Sequence, residues 1–128
     1  MREIKSISSE DFKVHEYDDI IDVRSPNEFN EDHLPNALNL PVLDNSEREE
    51  IGTIYKNENP FIAKRKGAAL VSFNISNHLK NYFSDKEKDY SPLVYCWRGG
   101  ERSRSLSIIL NSIGWKPTIL KGGYQGYR

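Results

Sequence analysis

The sequence predicts an α/β fold with a mainly parallel central sheet and helices on both faces. Three observations carry the expectation. Short apolar runs recur along the chain, stretches with helical spacing separate them, and Pro or Gly marks the junctions between the two. Ile4-Lys5-Ser6-Ile7 reads as a short edge strand, with Ser8 or Ser9 as N-cap of a brief helical turn through Phe12. Ile20-Ile21-Asp22-Val23 is a buried strand that ends at Arg24-Ser25-Pro26. There Pro26 takes the first position of a short helix carrying Glu28 and Phe29. Ala37-Leu38-Asn39-Leu40 is the next strand, stopped by Pro41. Ser46-Glu47-Arg48-Glu49 fits a capping box and opens a helix to about Tyr55. Asn59-Pro60 starts a longer helix with Ile62, Leu70, Phe73, Ile75, Leu79 and Phe83 as its apolar positions.

The charged stretch Ser84-Asp85-Lys86-Glu87-Lys88-Asp89 is a solvated loop leading into the strand Pro92-Leu93-Val94-Tyr95-Cys96. A helix with Leu106, Ile109, Leu110 and Ile113 at helical spacing follows, capped by Gly114, and Pro117-Thr118-Ile119-Leu120 is the last strand. There is no internal repeat and no low-complexity segment.

A chain of 128 residues with 37% hydrophobic content suits one compact domain with a modest core. Its longest apolar runs, such as Ile108-Ile109-Leu110, are too short to span a bilayer, and Met1-Arg2-Glu3-Ile4-Lys5 lacks the apolar core of a signal peptide. A cytoplasmic protein with no membrane partner is expected. The one cysteine excludes an internal disulfide, and His15, His33 and His78 are too scattered to suggest a metal cluster, so no metal site is expected. Charge is asymmetric. Residues 1–95 carry 12 Lys and Arg against 18 Asp and Glu, whereas residues 96–128 carry 6 against 1. The basic third begins at Cys96, so either an anion meets this cysteine or one helix face is simply basic.

Ligands of an open parallel sheet bind at the carboxyl ends of its strands, and Cys96 sits at such an end. Gly99 and Gly100 allow the backbone to curl so that successive amides converge on one point, and the following helix dipole adds to that field. Both effects favour a thiolate, and Arg98 and Arg102 act in the same direction, so Cys96 is predicted to be nucleophilic near neutral pH. The spacing C-x5-R lets Arg102 fold back and hold two oxygens of a tetrahedral anion while the cysteine attacks its centre. Ser103 is either a second anion ligand or a polar first-turn residue.

These residues resemble those of rhodanese domains. Ile21-Asp22-Val23-Arg24, Glu28-Phe29, His33-Leu34-Pro35-Asn36-Ala37 and Asn39-Leu40-Pro41 resemble the first rhodanese signature. Residues Tyr95 to Ser103 resemble the active-site loop, and Leu120-Lys121-Gly122-Gly123-Tyr124 the closing segment. The resemblance covers almost the whole chain and implies that Cys96 carries transferable sulfur as a persulfide. The loop is one residue longer than in typical sulfur-transferring rhodaneses, and in that it is similar to cell-cycle dual-specificity phosphatases and arsenate reductases. Residues Asn39 to Arg48, Ile51-Gly52-Thr53-Ile54-Tyr55-Lys56 and Cys96-x-Arg98-Gly99-Gly100-x-Arg102-Ser103 resemble the rhodanese domain of the tRNA 2-selenouridine synthase family.

That resemblance implies replacement of sulfur by selenium in wobble 2-thiouridine of tRNA, with selenophosphate as donor and an S-geranylated intermediate. Cys96 would accept or guide selenium. The Gly99, Gly100, Glu101 and Arg102 amides, with the Arg102 and Ser103 side chains, would hold the donor's oxygens, and Arg98 would add charge. Family members continue into a P-loop domain, and no G-x4-G-K-[ST] motif occurs here. The chain is therefore expected to be an excised domain or half of a split enzyme that does not complete the reaction alone. The missing P-loop domain or subunit would take geranyl diphosphate and much of the tRNA.

Asp22 and Arg24 either touch substrate or buttress the loop, and the buttress is favoured, with Arg24 pairing Glu28 near the strand end. Lys64-Arg65-Lys66 reads as a solvated helix face before it reads as a phosphate contact. Trp97 could stack on a nucleobase, shield the thiolate or pack on the missing domain. His33 is a turn residue. The competing functions are a generic thiosulfate sulfurtransferase, a C-x5-R phosphatase or arsenate reductase, and a non-catalytic rhodanese-like binding module. Tyr95 stands where phosphatases of this loop type usually have histidine, and the binding module would be expected to lack Cys96 or Arg102.

Overall fold

The computed structural model describes residues 3–98 and 100–128. Five strands, all parallel, form one sheet: β1 (Lys5–Ile7), β2 (Ile20–Asp22), β3 (Ala37–Asn39), β4 (Leu93–Tyr95) and β5 (Thr118–Leu120), in the spatial order β1-β5-β4-β2-β3. Every residue of β2, β4 and β5 is buried, which explains why these strands read as continuous apolar runs, whereas β1 and β3 form the partly exposed edges. Helix α1 (Pro26–Glu31) joins β2 to β3, and α2 (Asn45–Asn57) and α3 (Pro60–Asn81) lie between β3 and β4. Helix α4 (Glu101–Ile113) joins β4 to β5, and the short α5 (Gly123–Tyr127) follows β5.

Side-chain alternation along the strands builds two separate cores. Ile20, Leu93 and Tyr95 cluster with Leu34, Leu120 and Tyr124 on one face. Ile21, Val94 and Cys96 cluster on the other with Ile75, Phe83, Leu106, Leu110 and Trp115. The helices predicted on both faces are thus present. The same alternation separates neighbours past the end of β4, since Cys96 belongs to the α3–α4 side and Trp97 packs against the side of Tyr124.

Several local expectations shift. Ser8 and Ser9 do not cap a helix; the Ser8 carbonyl accepts from the Asp11 and Phe12 amides in an isolated turn. Helix α2 is capped two residues earlier than expected, at Asp44 instead of Ser46. Asp44 Oδ1 accepts from the Glu47 amide at 2.8 Å and Glu47 Oε1 accepts from the Asp44 amide at 2.9 Å. Both pairs satisfy the S/D-x-x-E spacing, but only the Asp44 box places the Glu47 carboxylate where Asn74 of α3 donates to it, at 2.9 Å. In α3 the inward face is Ala63, Gly67 and Ile75, while Phe73 is 66% exposed and Phe83 lies past the helix in a 3-10 turn over Phe83–Asp85. In α4, Leu106 and Leu110 are fully buried and Ile109 and Ile113 lie outward. Gly114 ends α4 as expected, at φ +114°, a backbone conformation that glycine adopts without steric cost. No described helix is long and apolar enough to cross a membrane.

Leu106 is fully buried and Ile113 is 52% exposed on the same helix, so their truncations should separate. Leu106→Ala should lower unfolding free energy by about 2–5 kcal/mol, and Ile113→Ala by less than about 0.5 kcal/mol, in urea melts.

Candidate active site

Strand β4 ends at Tyr95, and Cys96, 3% exposed, is the next residue. The Gly100 amide donates to Cys96 Sγ at 3.3 Å, and Sγ lies 3.3 Å from Ser103 Oγ, which donates to the Gly100 carbonyl at 3.1 Å. The sulfur therefore sits between the curled loop and the first turn of α4, with one backbone N–H aimed at it. Ser103 is fully buried, so its hydroxyl belongs to the sulfur's own surroundings. Gly99, the other glycine expected to shape the curl, lies outside the described residues. Arg98, Gly100 and Glu101 are exposed around the loop mouth.

Arg102, on the first turn of α4, reaches across to α1. Its Nη1 donates to Glu28 Oε1 at 2.8 Å and its Nη2 to Oε2 at 3.4 Å. Glu28 also accepts from the Ser25 amide and hydroxyl at the start of α1, and Arg48 Nε stands 3.7 Å away. Burial pushes the Glu28 carboxyl up, but the Arg102 hydrogen bond and charge and the Ser25 donors outweigh it and hold the group at about 2. The expected Arg24–Glu28 pair is therefore not formed. Arg24 instead binds Asp22, its i−2 neighbour on the same side of the chain. Nη2 lies 2.8 Å from Oδ2, Nε lies 3.1 Å from both oxygens, and a further 2.7 Å bond joins Nη2 to the Asp32 carbonyl. Asp22 is fully buried and Arg24 is 3% exposed, so each charge needs the other, while the less buried Glu28 is left to Arg102.

The loop is backed by α5. The Tyr124 amide donates to the Cys96 carbonyl and the Gln125 amide to the Trp97 carbonyl, each at 2.8 Å. Tyr124 also donates its hydroxyl to Asp32, and the Arg24 guanidinium lies 4.6 Å from the Tyr124 ring centroid. Trp97, half-buried, lies 6.1 Å from the Tyr124 ring and carries the Arg128 guanidinium over its face at 5.2 Å. Beside the loop opens a cleft of about 530 Å³ lined by Arg24, Glu28, Glu31, Asp32, Arg48 and Trp97, together with Tyr124 and Arg128.

The structure thus brings Cys96, Gly100 and Ser103 together, turns the Arg102 guanidinium to Glu28 of α1 instead of over the cysteine loop as expected, places Trp97 on the adjoining cleft, and uses Asp22 and Arg24 as a buried brace. His33 is a turn residue that stacks on Phe29 at 3.7 Å, and Lys64, Arg65 and Lys66 form an exposed stretch of α3. Sequence reasoning missed Arg48, Glu31, Asp32 and Arg128 as cleft residues. Tyr124, which also lines the cleft, lies in the closing segment Leu120-Lys121-Gly122-Gly123-Tyr124 that the sequence singles out.

The profile of the Rhodanese-like domain family matches residues 4–128. The chain belongs to the rhodanese-like family. This rhodanese-like domain is 38% identical over 109 residues to a tRNA 2-selenouridine synthase of Psychromonas ingrahamii, and 39% identical over 110 residues to one of Proteus mirabilis. Each match covers 85% of this chain and 30% of the relative, so the domain spans about a third of the length of those proteins. Among solved structures, it superposes with a TM-score of 0.79 and 36% identity on the N-terminal domain of a Clostridium difficile 630 protein named for ATP/GTP binding, covering 97% of this chain and 96% of that one. A rhodanese-related protein of Thermoplasma volcanium shares the fold at 20% identity and a TM-score of 0.57, over 96% of this chain and 89% of that one.

Glu28 offers a pH test of the ion pair. Its folded value of about 2 lies below the ordinary 4.5, so its stabilisation is complete above 4.5 and is lost as pH falls from there toward 2. Glu28→Gln should flatten stability against pH in that window, measured by urea unfolding across it.

Proposed function

We propose that this domain is the rhodanese part of a tRNA 2-selenouridine synthase, which replaces sulfur by selenium in wobble 2-thiouridine with selenophosphate as donor. Cys96 handles the chalcogen. The observation that carries the reading is the Gly100 amide directed at a buried cysteine sulfur, in a chain with relatives of that name. An amide donor and a helix start suit a sulfur that takes on negative charge when it accepts or steers a chalcogen.

In this reading the loop amides and Arg102 hold the tetrahedral oxygens of selenophosphate, Arg98 adds charge at the mouth, and Ser103 keeps the sulfur oriented. Arg102 rests on Glu28 before the donor arrives, so the donor's oxygens compete with a carboxylate for its guanidinium. A soluble, cytoplasmic setting fits a tRNA substrate. The P-loop domain or subunit, geranyl diphosphate and most of the tRNA belong to the remaining two thirds of such an enzyme, and the S-geranyl intermediate forms there. The domain on its own is expected to load chalcogen without finishing the tRNA reaction.

The test is intact-protein mass spectrometry of wild type and Cys96→Ser after anaerobic incubation with selenophosphate or thiosulfate, with free phosphate assayed in parallel. A sulfur adduct from thiosulfate, formed as sulfite leaves, is expected on wild type and absent from Cys96→Ser, whereas selenophosphate, whose selenium is at the selenide level, is expected to be bound and steered by the loop without forming a perselenide. Hydrolysis of simple phosphate esters that requires Cys96, with no adduct, would replace the proposal by a phosphatase.

A further inference from the structure

We propose that the cleft beside the cysteine loop is a mononucleotide subsite, in which Trp97 stacks the pyrimidine base of the RNA substrate and Arg128, with Arg48, takes its phosphate. The proposal rests on the reading of the domain as acting on RNA and names where a nucleotide of that RNA docks beside the cysteine loop.

The cleft, about 530 Å³, is within the range of sites that enclose small ligands and has the size for one nucleotide. Of the two rings lining it, Tyr124 is already committed, with the Arg24 guanidinium over its face and its hydroxyl on Asp32. Trp97 is half-buried, lies 6.1 Å from the Tyr124 ring, and carries the guanidinium of exposed Arg128 over its face at 5.2 Å. A base can take that place, since every base offers a π-face to an aromatic ring, and Arg128 is then free to pair with the attached phosphate. The platform is rigid, because the Trp97 and Cys96 carbonyls are both tied to α5 by 2.8 Å backbone bonds.

Charge alone gives a bare anion little hold, because Arg24, Arg48 and Arg128 share the lining of the cleft with Glu28, Glu31 and Asp32. Arg24 is consumed by Asp22, whereas Arg48 makes a contact of 3.7 Å to Glu28 and its side chain is 46% exposed. A ligand that adds a stacking base and ribose hydroxyls to one phosphate makes up that hold, with exposed Glu31 of the lining available to accept from ribose hydroxyls or a base N–H. The cleft also borders the chemistry. Trp97 directly follows Cys96, and Glu28, one of the lining groups, holds Arg102 at the start of α4.

Calorimetric titration of the whole chain with uridine 5′-monophosphate, uridine and inorganic phosphate tests this. Saturable binding of the nucleotide is expected, with phosphate alone much weaker. Trp97→Ala should weaken the nucleotide by about tenfold or more, and Arg128→Ala should collapse its advantage over uridine. No saturable nucleotide binding up to about 10 mM, phosphate binding as tight as the nucleotide, or an unchanged affinity in Trp97→Ala would overturn the subsite. Should Trp97→Ala fail to fold, Arg128→Ala decides, since a retained preference for the nucleotide over uridine also overturns it. Chalcogen loading of wild-type Cys96 is scored separately. An adduct without nucleotide binding rejects only the subsite, and nucleotide binding without an adduct rejects only the chalcogen reading.

Discussion

The carboxyl edge of the sheet depends on the buried pair between Asp22 and Arg24. Both charges are almost wholly removed from water, so each is tolerable only while the other is in place. From that fixed point the guanidinium reaches the Asp32 carbonyl, which sets the turn after α1, and lies against the rings of Tyr95 and Tyr124. Asn39 of the neighbouring strand donates to the carbonyls of both Asp22 and Arg24. One ion pair thus fixes β2, β3, the end of β4 and α5 relative to one another, and the cysteine loop hangs between the last two.

The pleat of β4 gives consecutive residues of that loop different surroundings. Cys96 turns toward α4 and its amide-lined first turn, and Trp97 turns toward α5 and open solvent. The Glu28–Arg102 pair bridges the two sides, since Glu28 lines the cleft and Arg102 belongs to the helix that carries the sulfur's neighbours. The carboxylate holds the Arg102 guanidinium toward α1, so an anion that takes this arginine must compete with Glu28.

Much of this was legible in the sequence because the deciding features are local. The apolar runs of β2, β4 and β5, Pro26 at the start of α1, Gly114 at the end of α4 and the crowding of glycine and arginine after Cys96 each act through neighbours a few residues away. What escaped depends on long-range geometry. Whether Glu28 meets Arg24 or Arg102 is settled by how α1 packs on α4, and the choice of Asp44 over Ser46 as cap is settled by Asn74 of α3, 30 residues on. The cleft was invisible for the same reason, as Arg48, Asp32 and Arg128 come from three separate elements with no spacing to connect them. The outward placing of Phe73 and Ile113 also escaped, since an apolar residue at helical spacing does not reveal where the facing surface ends.

The strand order has a consequence for synthesis. Strand β1 pairs with β5, Lys5 opposite Thr118, so the sheet stays open along β4 until β5 has left the ribosome. Contacts of such long separation form slowly, and a nascent chain carrying β1 to β4 exposes an unpaired parallel edge in the meantime. The backing of the cysteine loop comes from α5, made later still, so in the growing polypeptide the Cys96 and Trp97 carbonyls have no amide to receive. Cys96 is therefore synthesised before its enclosure, and its shelter arrives with α5.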